Sequence, residues 1–149
     1  MTDEHTLIIF DYRGTLYKQG RIVHGVDDVI KEAAKKHTLA IVSFSAQKEI
    51  QTALKNEGLL SYFSTIKACA NRDSKESAMK ELAEEHDTPL ARCLFITDTH
   101  DDIQAAKASG ITAIFVTWGD ESELPDNRET MVVRSPAELS SLLKHFFQE

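Results

Sequence analysis

Four polar residues stand where apolar runs end or a helical pattern begins, and their types suit phosphoryl chemistry: Asp11, Ser43, Lys75 and Asp98. An aspartate carboxylate can attack phosphorus as a nucleophile and form an acyl phosphate. Mg²⁺ prefers hard oxygen ligands, typically one or two protein carboxylates together with phosphate and water. A serine hydroxyl can bind phosphate oxygens, and a lysine can neutralise developing charge. This chemistry requires the four side chains to meet at one place.

Six short apolar runs predict the strands that bring them there. Several of the runs lack polar alternation, as expected for parallel strands covered on both faces. The predicted strands are Leu7–Phe10, Leu39–Phe44, Ser64–Cys69, Cys93–Thr97, Ile111–Thr117 and Met131–Val133.

Helical patterns separate these runs, with apolar stripes such as those in Val26–Ala34 and Ala78–His86. Gly58 and Gly110 follow two of the predicted helices, where a left-handed residue ends a helix, and Ser135 is placed to cap the last one. The alternation predicts an α/β fold, a three-layer, doubly wound parallel sheet. In such sheets ligands bind outside the carboxyl ends of the strands, the edge where the four polar residues lie.

Length and composition predict one globular domain, residues 1–149, with 42% apolar and 28% charged residues. The net charge of −7 disfavours non-specific binding to nucleic acid or anionic membranes. Cys69 and Cys93 fit no metal or redox spacing and are expected to be core thiols in a reducing compartment. Without a signal-peptide pattern or a membrane-spanning run, the sequence predicts a soluble cytoplasmic protein. It predicts no particular oligomeric state.

The four residues also lie in segments that resemble the motifs of the haloacid dehalogenase (HAD) superfamily. Phe10–Leu16, FDYRGTL, resembles its DxDGTL opening motif, and Thr97–Asp102, TDTHDD, resembles its GDxxxD motif. Ser43 and Lys75 match its Ser/Thr and lysine motifs in the correct order. The segments AAKASGITAIFVTWG and RSPAEL resemble phosphoglycolate-phosphatase-type members.

The resemblance implies a role for each matched residue. Asp11 would be the nucleophile, and Ser43 and Lys75 would hold the phosphoryl group. The implied Mg²⁺ ligands are the Asp11 side chain, the backbone carbonyl of Arg13, Asp98 and, through metal-bound waters, Asp102. A structural role for Asp102 remains open, because Thr99–Asp102 also has the spacing of a helix capping box.

Arg13 departs from the family pattern, which has a second Asp at this position as general acid and base. A guanidinium stays protonated, so it cannot take a proton from water and is a poor donor to a leaving group. General acid–base catalysis contributes about 10²–10⁴-fold, so hydrolysis should be slow or specialised. The alternative is a catalytically disabled module that binds Mg²⁺ and a phosphorylated ligand or a protein partner.

Spacing predicts that the fold has no cap domain. Asp11 and Ser43 are separated by one flap-like stretch and one helix, and Ser43 and Lys75 by one helix and one strand. The resemblance to capless members then implies an open site. Such a site suits either a phosphorylated small molecule or a protein-borne phosphate.

Overall fold

The computed structural model describes residues 6–69, 72–119, 124–125 and 130–145, with only the backbone described at 72–74. The elements alternate between strand and helix as predicted. In chain order they are β1 Leu7–Phe10, β2 Tyr17–Lys18, β3 Arg21–Ile22, α1 Val26–Ala34, β4 Thr38–Ser43, α2 Gln47–Asn56, β5 Thr65–Ala68, α3 Arg72–Glu85, β6 Cys93–Thr97, α4 His100–Ser109, β7 Thr112–Val116, β8 Met131–Val133 and α5 Pro136–His145.

The main sheet has six strands in the order β5-β4-β1-β6-β7-β8, and every neighbouring pair is parallel. Counted along the chain, these strands follow the order 3-2-1-4-5-6 of a doubly wound fold. The strand order therefore reverses between β1 and β6. The fold class predicted from the sequence is confirmed.

Helices cover both faces of this sheet. Ile8 and Phe10 of β1 pack in one cluster with α1, α2 and α5, whereas Leu7 and Ile9 pack in a second cluster with α3 and α4. All four β1 residues have no exposed surface. Such complete burial explains why the strand reads as an unbroken apolar run.

Strand register places the site residues at one edge. Phe10 lies opposite Ile41 of β4 and Ile96 of β6. Asp11 directly follows Phe10, so this register places it beside Val42, one residue before the end of β4, and beside Thr97, the last residue of β6. Because all three strands are parallel, the residues that follow them emerge on the same side of the molecule.

The helix ends follow local chemistry that the sequence predicted. Gly58 and Gly110 have φ angles of 72° and 81°, which favour glycine just beyond a helix. The Ser135 hydroxyl accepts a hydrogen bond of 3.1 Å from the backbone N–H of Glu138 and caps α5. One prediction about the cysteines needs correction. Cys93 is a core thiol, but Cys69 is only partly buried because it lies just past β5, at the edge of the sheet.

The insertions between the motif-bearing elements are short, as predicted. Between β1 and β4 lie only the antiparallel β2–β3 hairpin and α1. Between β4 and α3 lie α2, a 3₁₀ turn at Leu60–Tyr62 and β5. Neither segment contains a cap domain. In the part of the chain that the structure describes, no helix has the length and apolar character to span a membrane.

Candidate active site

The site lies at the point where the sheet order reverses. Asp11 follows β1 and Asp98 follows β6, and their exposed fractions are 6% and 3%. Ser43 ends β4 on the other side of β1, and Lys75 lies in the first turn of α3, which packs on the second face of the sheet. The structure therefore brings the four predicted residues to one edge.

Lys75 is the centre of a buried ionic network. Its Nζ donates to Asp11 Oδ1 at 3.2 Å and to both carboxylate oxygens of Asp102, at 3.0 and 2.9 Å. The Thr97 hydroxyl donates a further bond of 2.7 Å to Asp102 Oδ2. The ring of Phe44 lies over the ammonium, with its centroid 4.3 Å from Nζ. These contacts fix a lysine side chain that is almost fully buried.

The electrostatic environment of Asp11 opposes its ionisation. The pKa of Asp11 is raised to about 7, mainly by burial and to a lesser extent by the Asp102 and Asp98 carboxylates, while the Lys75 ammonium acts in the opposite direction. Burial alone would lower the pKa of Lys75, but the Asp11 and Asp102 carboxylates outweigh that effect and raise it. The lysine is therefore held as a cation by two buried carboxylates, Asp11 and Asp102.

Asp98 is enclosed by two glycines. A Cβ at Gly14 or at Gly119 would lie 2.2 Å from Asp98 Oδ2, a distance that no real Cβ contact tolerates. Gly14 also has a φ of 82°, a conformation that strains any residue with a side chain. The Thr15 hydroxyl donates to Asp98 Oδ1 at 3.3 Å. Two close backbone segments thus hold this carboxylate in place.

The Arg13 side chain is directed towards the start of α2. Its Nε donates to the Ser45 hydroxyl at 3.1 Å, and its guanidinium forms an ion pair with Glu49. With 61% of the side chain exposed, this pair is a surface contact. The Ser45 hydroxyl, two residues beyond Ser43, accepts this bond from Arg13. Ser43 is 2% exposed, and its Oγ accepts a bond from the Ser45 backbone N–H.

Asp102 takes part in the helix cap that its spacing from Thr99 predicted. Its backbone N–H donates to the Thr99 hydroxyl at 3.2 Å, which caps α4. Its carboxylate points the other way, to Lys75 and Thr97. A contact between Asp102 and a metal-bound water stays a prediction.

The donor set suits Mg²⁺. Among the described residues, no three His, Cys, Asp or Glu side chains are grouped as a metal centre. Mg²⁺ does not need such a group, because one or two carboxylates usually hold it together with waters and phosphate. Asp11 and Asp98 are buried carboxylates that follow the adjacent strands β1 and β6. A divalent cation bound between them would offset the repulsion of their negative charges.

Some residues of the site were missed from the sequence. Thr15 and Thr97 bind the carboxylates of Asp98 and Asp102, and each adjoins a predicted site residue or motif, which was the available signal. Gly119 gave no local signal, because only the folded chain brings it against Asp98.

The sequence of the chain is similar to those of known hydrolases. A family model described as "Haloacid dehalogenase-like hydrolase" matches residues 9–116. A phosphoglycolate phosphatase of Synechococcus elongatus is 28% identical over 113 residues, which are 75% of this chain and 51% of that protein. The chain thus spans about half the length of the curated relatives it matches.

Solved structures share the fold. A haloacid dehalogenase-like hydrolase of Streptococcus pneumoniae has a TM-score of 0.77 at 16% identity, over 95% of this chain and 99% of that one. A 3-deoxy-D-manno-octulosonate 8-phosphate phosphatase of Moraxella catarrhalis, solved with magnesium and phosphate ions, has a TM-score of 0.66 at 18% identity, over 94% and 84%.

Replacing Lys75 should destabilise the protein strongly. We expect Lys75→Met to lower the free energy of unfolding by about 3–5 kcal/mol, because it leaves Asp11 and Asp102 buried without their counter-ion. Lys67→Met is the matched control, since Lys67 also binds two carboxylates, Glu81 and Glu85, but at the surface. It should cost less than about 1 kcal/mol. Urea unfolding measures both, and equal losses would contradict a central role for Lys75.

Alanine substitutions at Gly14 and Gly20 distinguish the stability cost of backbone strain from the cost of a clash with Asp98. Both have a φ of 82°, but a Cβ at Gly20 would meet nothing within 4 Å. Gly20→Ala should cost about 1–2 kcal/mol, from the left-handed conformation alone. Gly14→Ala should cost about 1–3 kcal/mol more, from the clash with Asp98. Identical urea midpoints for the two variants would show that Asp98 is not confined by Gly14.

Proposed function

We propose that this chain, which belongs to the haloacid dehalogenase-like hydrolases, is a Mg²⁺-dependent phosphomonoester hydrolase. In this proposal Asp11 carries the phosphoryl group. One observation carries the proposal: the Asp11 carboxylate is held by the buried ammonium of Lys75 at the point where the sheet order reverses. If Asp11 only capped a turn, it would not need a buried lysine as its counter-ion. The cytoplasmic location predicted from the sequence remains part of this proposal.

In the first step an Asp11 carboxylate oxygen attacks phosphorus, and the bond between phosphorus and the ester oxygen breaks. The ester oxygen leaves with the bonding electron pair and takes a proton from water. Ser43 and Lys75 bind the phosphoryl oxygens, so Lys75 neutralises charge on both the nucleophile and the transferred group. Asp11, Asp98 and the Arg13 carbonyl would hold Mg²⁺, with Asp102 near its waters, and the cation would supply further charge neutralisation.

In the second step water attacks phosphorus of the aspartyl phosphate. The bond from phosphorus to the Asp11 oxygen breaks, and inorganic phosphate and the free carboxylate result. The attacking water must lose a proton, and the Arg13 guanidinium cannot accept one. This step should therefore be slower than in a relative with an acid at this position, by about 10²–10⁴-fold.

The open edge of the sheet favours a phosphorylated small molecule or a phosphate carried on a protein. No cap covers the site in the segments between its motifs, and the Phe44 ring beside Ser43 is 53% exposed. The similarity to a phosphoglycolate phosphatase of Synechococcus elongatus supports a phosphate monoester as the class of substrate.

The second candidate function is a disabled module that binds Mg²⁺ and a phosphorylated ligand or a protein partner. Arg13 favours it, because its side chain is paired with Glu49 and supplies no proton transfer. The two candidates differ only in whether the phosphoryl group is turned over.

Hydrolysis of para-nitrophenyl phosphate with Mg²⁺ separates them. We expect slow turnover by the native chain, none by Asp11→Asn, and a rate about 10²–10⁴-fold higher for Arg13→Asp, because it supplies the missing acid and base. Arg13→Ala is the control, since it also breaks the Glu49 pair but adds no carboxylate. Activity in Arg13→Asp alone would favour the disabled module. Native activity that survives Asp11→Asn would contradict the proposed mechanism.

A further inference from the structure

The β2–β3 hairpin is joined to the loop after β7 by a lysine. Lys18 Nζ donates to the backbone carbonyls of Trp118 at 2.8 Å and Gly119 at 3.2 Å. The two partners are about one hundred residues away in sequence, so the bonds connect separate parts of the chain. Gly119 is the residue whose backbone lies against the Asp98 carboxylate.

A second bond runs between the same two segments in the opposite direction. The Trp118 indole Nε1 donates to the backbone carbonyl of Thr15 at 2.9 Å. Thr15 binds Asp98 through its hydroxyl, and the neighbouring Gly14 encloses the same carboxylate. Each segment therefore contacts Asp98, and the side chains of Lys18 and Trp118 hold the segments together.

We propose that Lys18 and Trp118 are positioning residues for the cation site, because they clamp Gly14–Thr15 and Gly119 around Asp98. This inference rests on the proposed function. The hairpin is then more than a connection between β1 and α1. It fixes the orientation of Asp98, a predicted Mg²⁺ ligand, through the segments that contact its carboxylate.

The proposed clamp and a purely Coulombic effect predict opposite changes in Mg²⁺ affinity when Lys18 is replaced by an uncharged residue. Removing a positive charge near a cation site strengthens cation binding if only Coulomb forces act. Removing a side chain that orients a metal ligand weakens binding, typically by about 10–100-fold. Lys18→Met should therefore raise the dissociation constant for Mg²⁺ by about 10-fold, despite the loss of a positive charge.

The experiment titrates Mg²⁺ into the full chain by isothermal calorimetry, with circular dichroism to verify folding. Lys18→Arg keeps the charge and the donors and should bind Mg²⁺ within about 3-fold of the native chain. Arg21→Met is the matched control, because Arg21 is an exposed cation on the same hairpin, and its affinity should not fall. Trp118→Phe removes the indole N–H but keeps an aromatic ring, and should weaken binding independently of Lys18.

Folded Lys18→Met with native or tighter affinity would overturn the clamp, and so would equal weakening in Arg21→Met. If Lys18→Met does not fold, Trp118→Phe decides: unchanged affinity overturns the inference, and weaker affinity with a native spectrum supports it. A native chain that binds no Mg²⁺ would overturn the proposed cation site itself, and the clamp with it. Native binding combined with an unaffected Lys18→Met would overturn the clamp alone.

Discussion

Three carboxylates buried at one sheet edge repel one another, and the Lys75 ammonium keeps this edge in its folded arrangement. It contacts Asp11 and Asp102 directly, within a pocket that burial makes unfavourable for any lone charge. Asp98 is enclosed by the backbone at Gly14 and Gly119 and accepts a hydrogen bond from the Thr15 hydroxyl. A site with this charge distribution is suited to binding a cation. The bound cation then favours a phosphate, because the two carry opposite charges.

The rest of the fold positions this arrangement. The fully buried β1 places Asp11 between two parallel neighbours, and the 3-2-1-4-5-6 strand order opens a crevice beside it. Helix α3 carries Lys75 over that crevice, and α4 presents Asp102 from its first turn while Thr99 caps it. The β2–β3 hairpin occupies the position between β1 and α1 and reaches back to the loop after β7. Stability and the proposed chemistry thus depend on the same contacts.

Because the strands are parallel, the positions of most site residues at this edge could be predicted from the sequence. The apolar runs identify the strands, and residues that end parallel strands must share one edge, so Asp11, Ser43 and Asp98 could be placed together from sequence. Contacts that depend on long-range folding could not be predicted. The ion pair of Arg13 with Glu49 and the close approach of Gly119 to Asp98 join segments with no local pattern linking them. The burial of Cys69 was also misjudged, because apolar character alone does not distinguish a central strand from an edge strand.

The central claim is that Asp11 accepts the phosphoryl group and that the substitution at Arg13 slows its release. Para-nitrophenolate leaves without needing a proton, so the first step with its phosphate ester should escape the missing acid, while hydrolysis of the aspartyl phosphate should not. Rapid-mixing kinetics should therefore show a burst of about one para-nitrophenolate per protein chain before slow turnover, and acid quenching should trap phosphate on the peptide that contains Asp11. Linear product release, with no phosphoryl group on that peptide during turnover, would contradict the account.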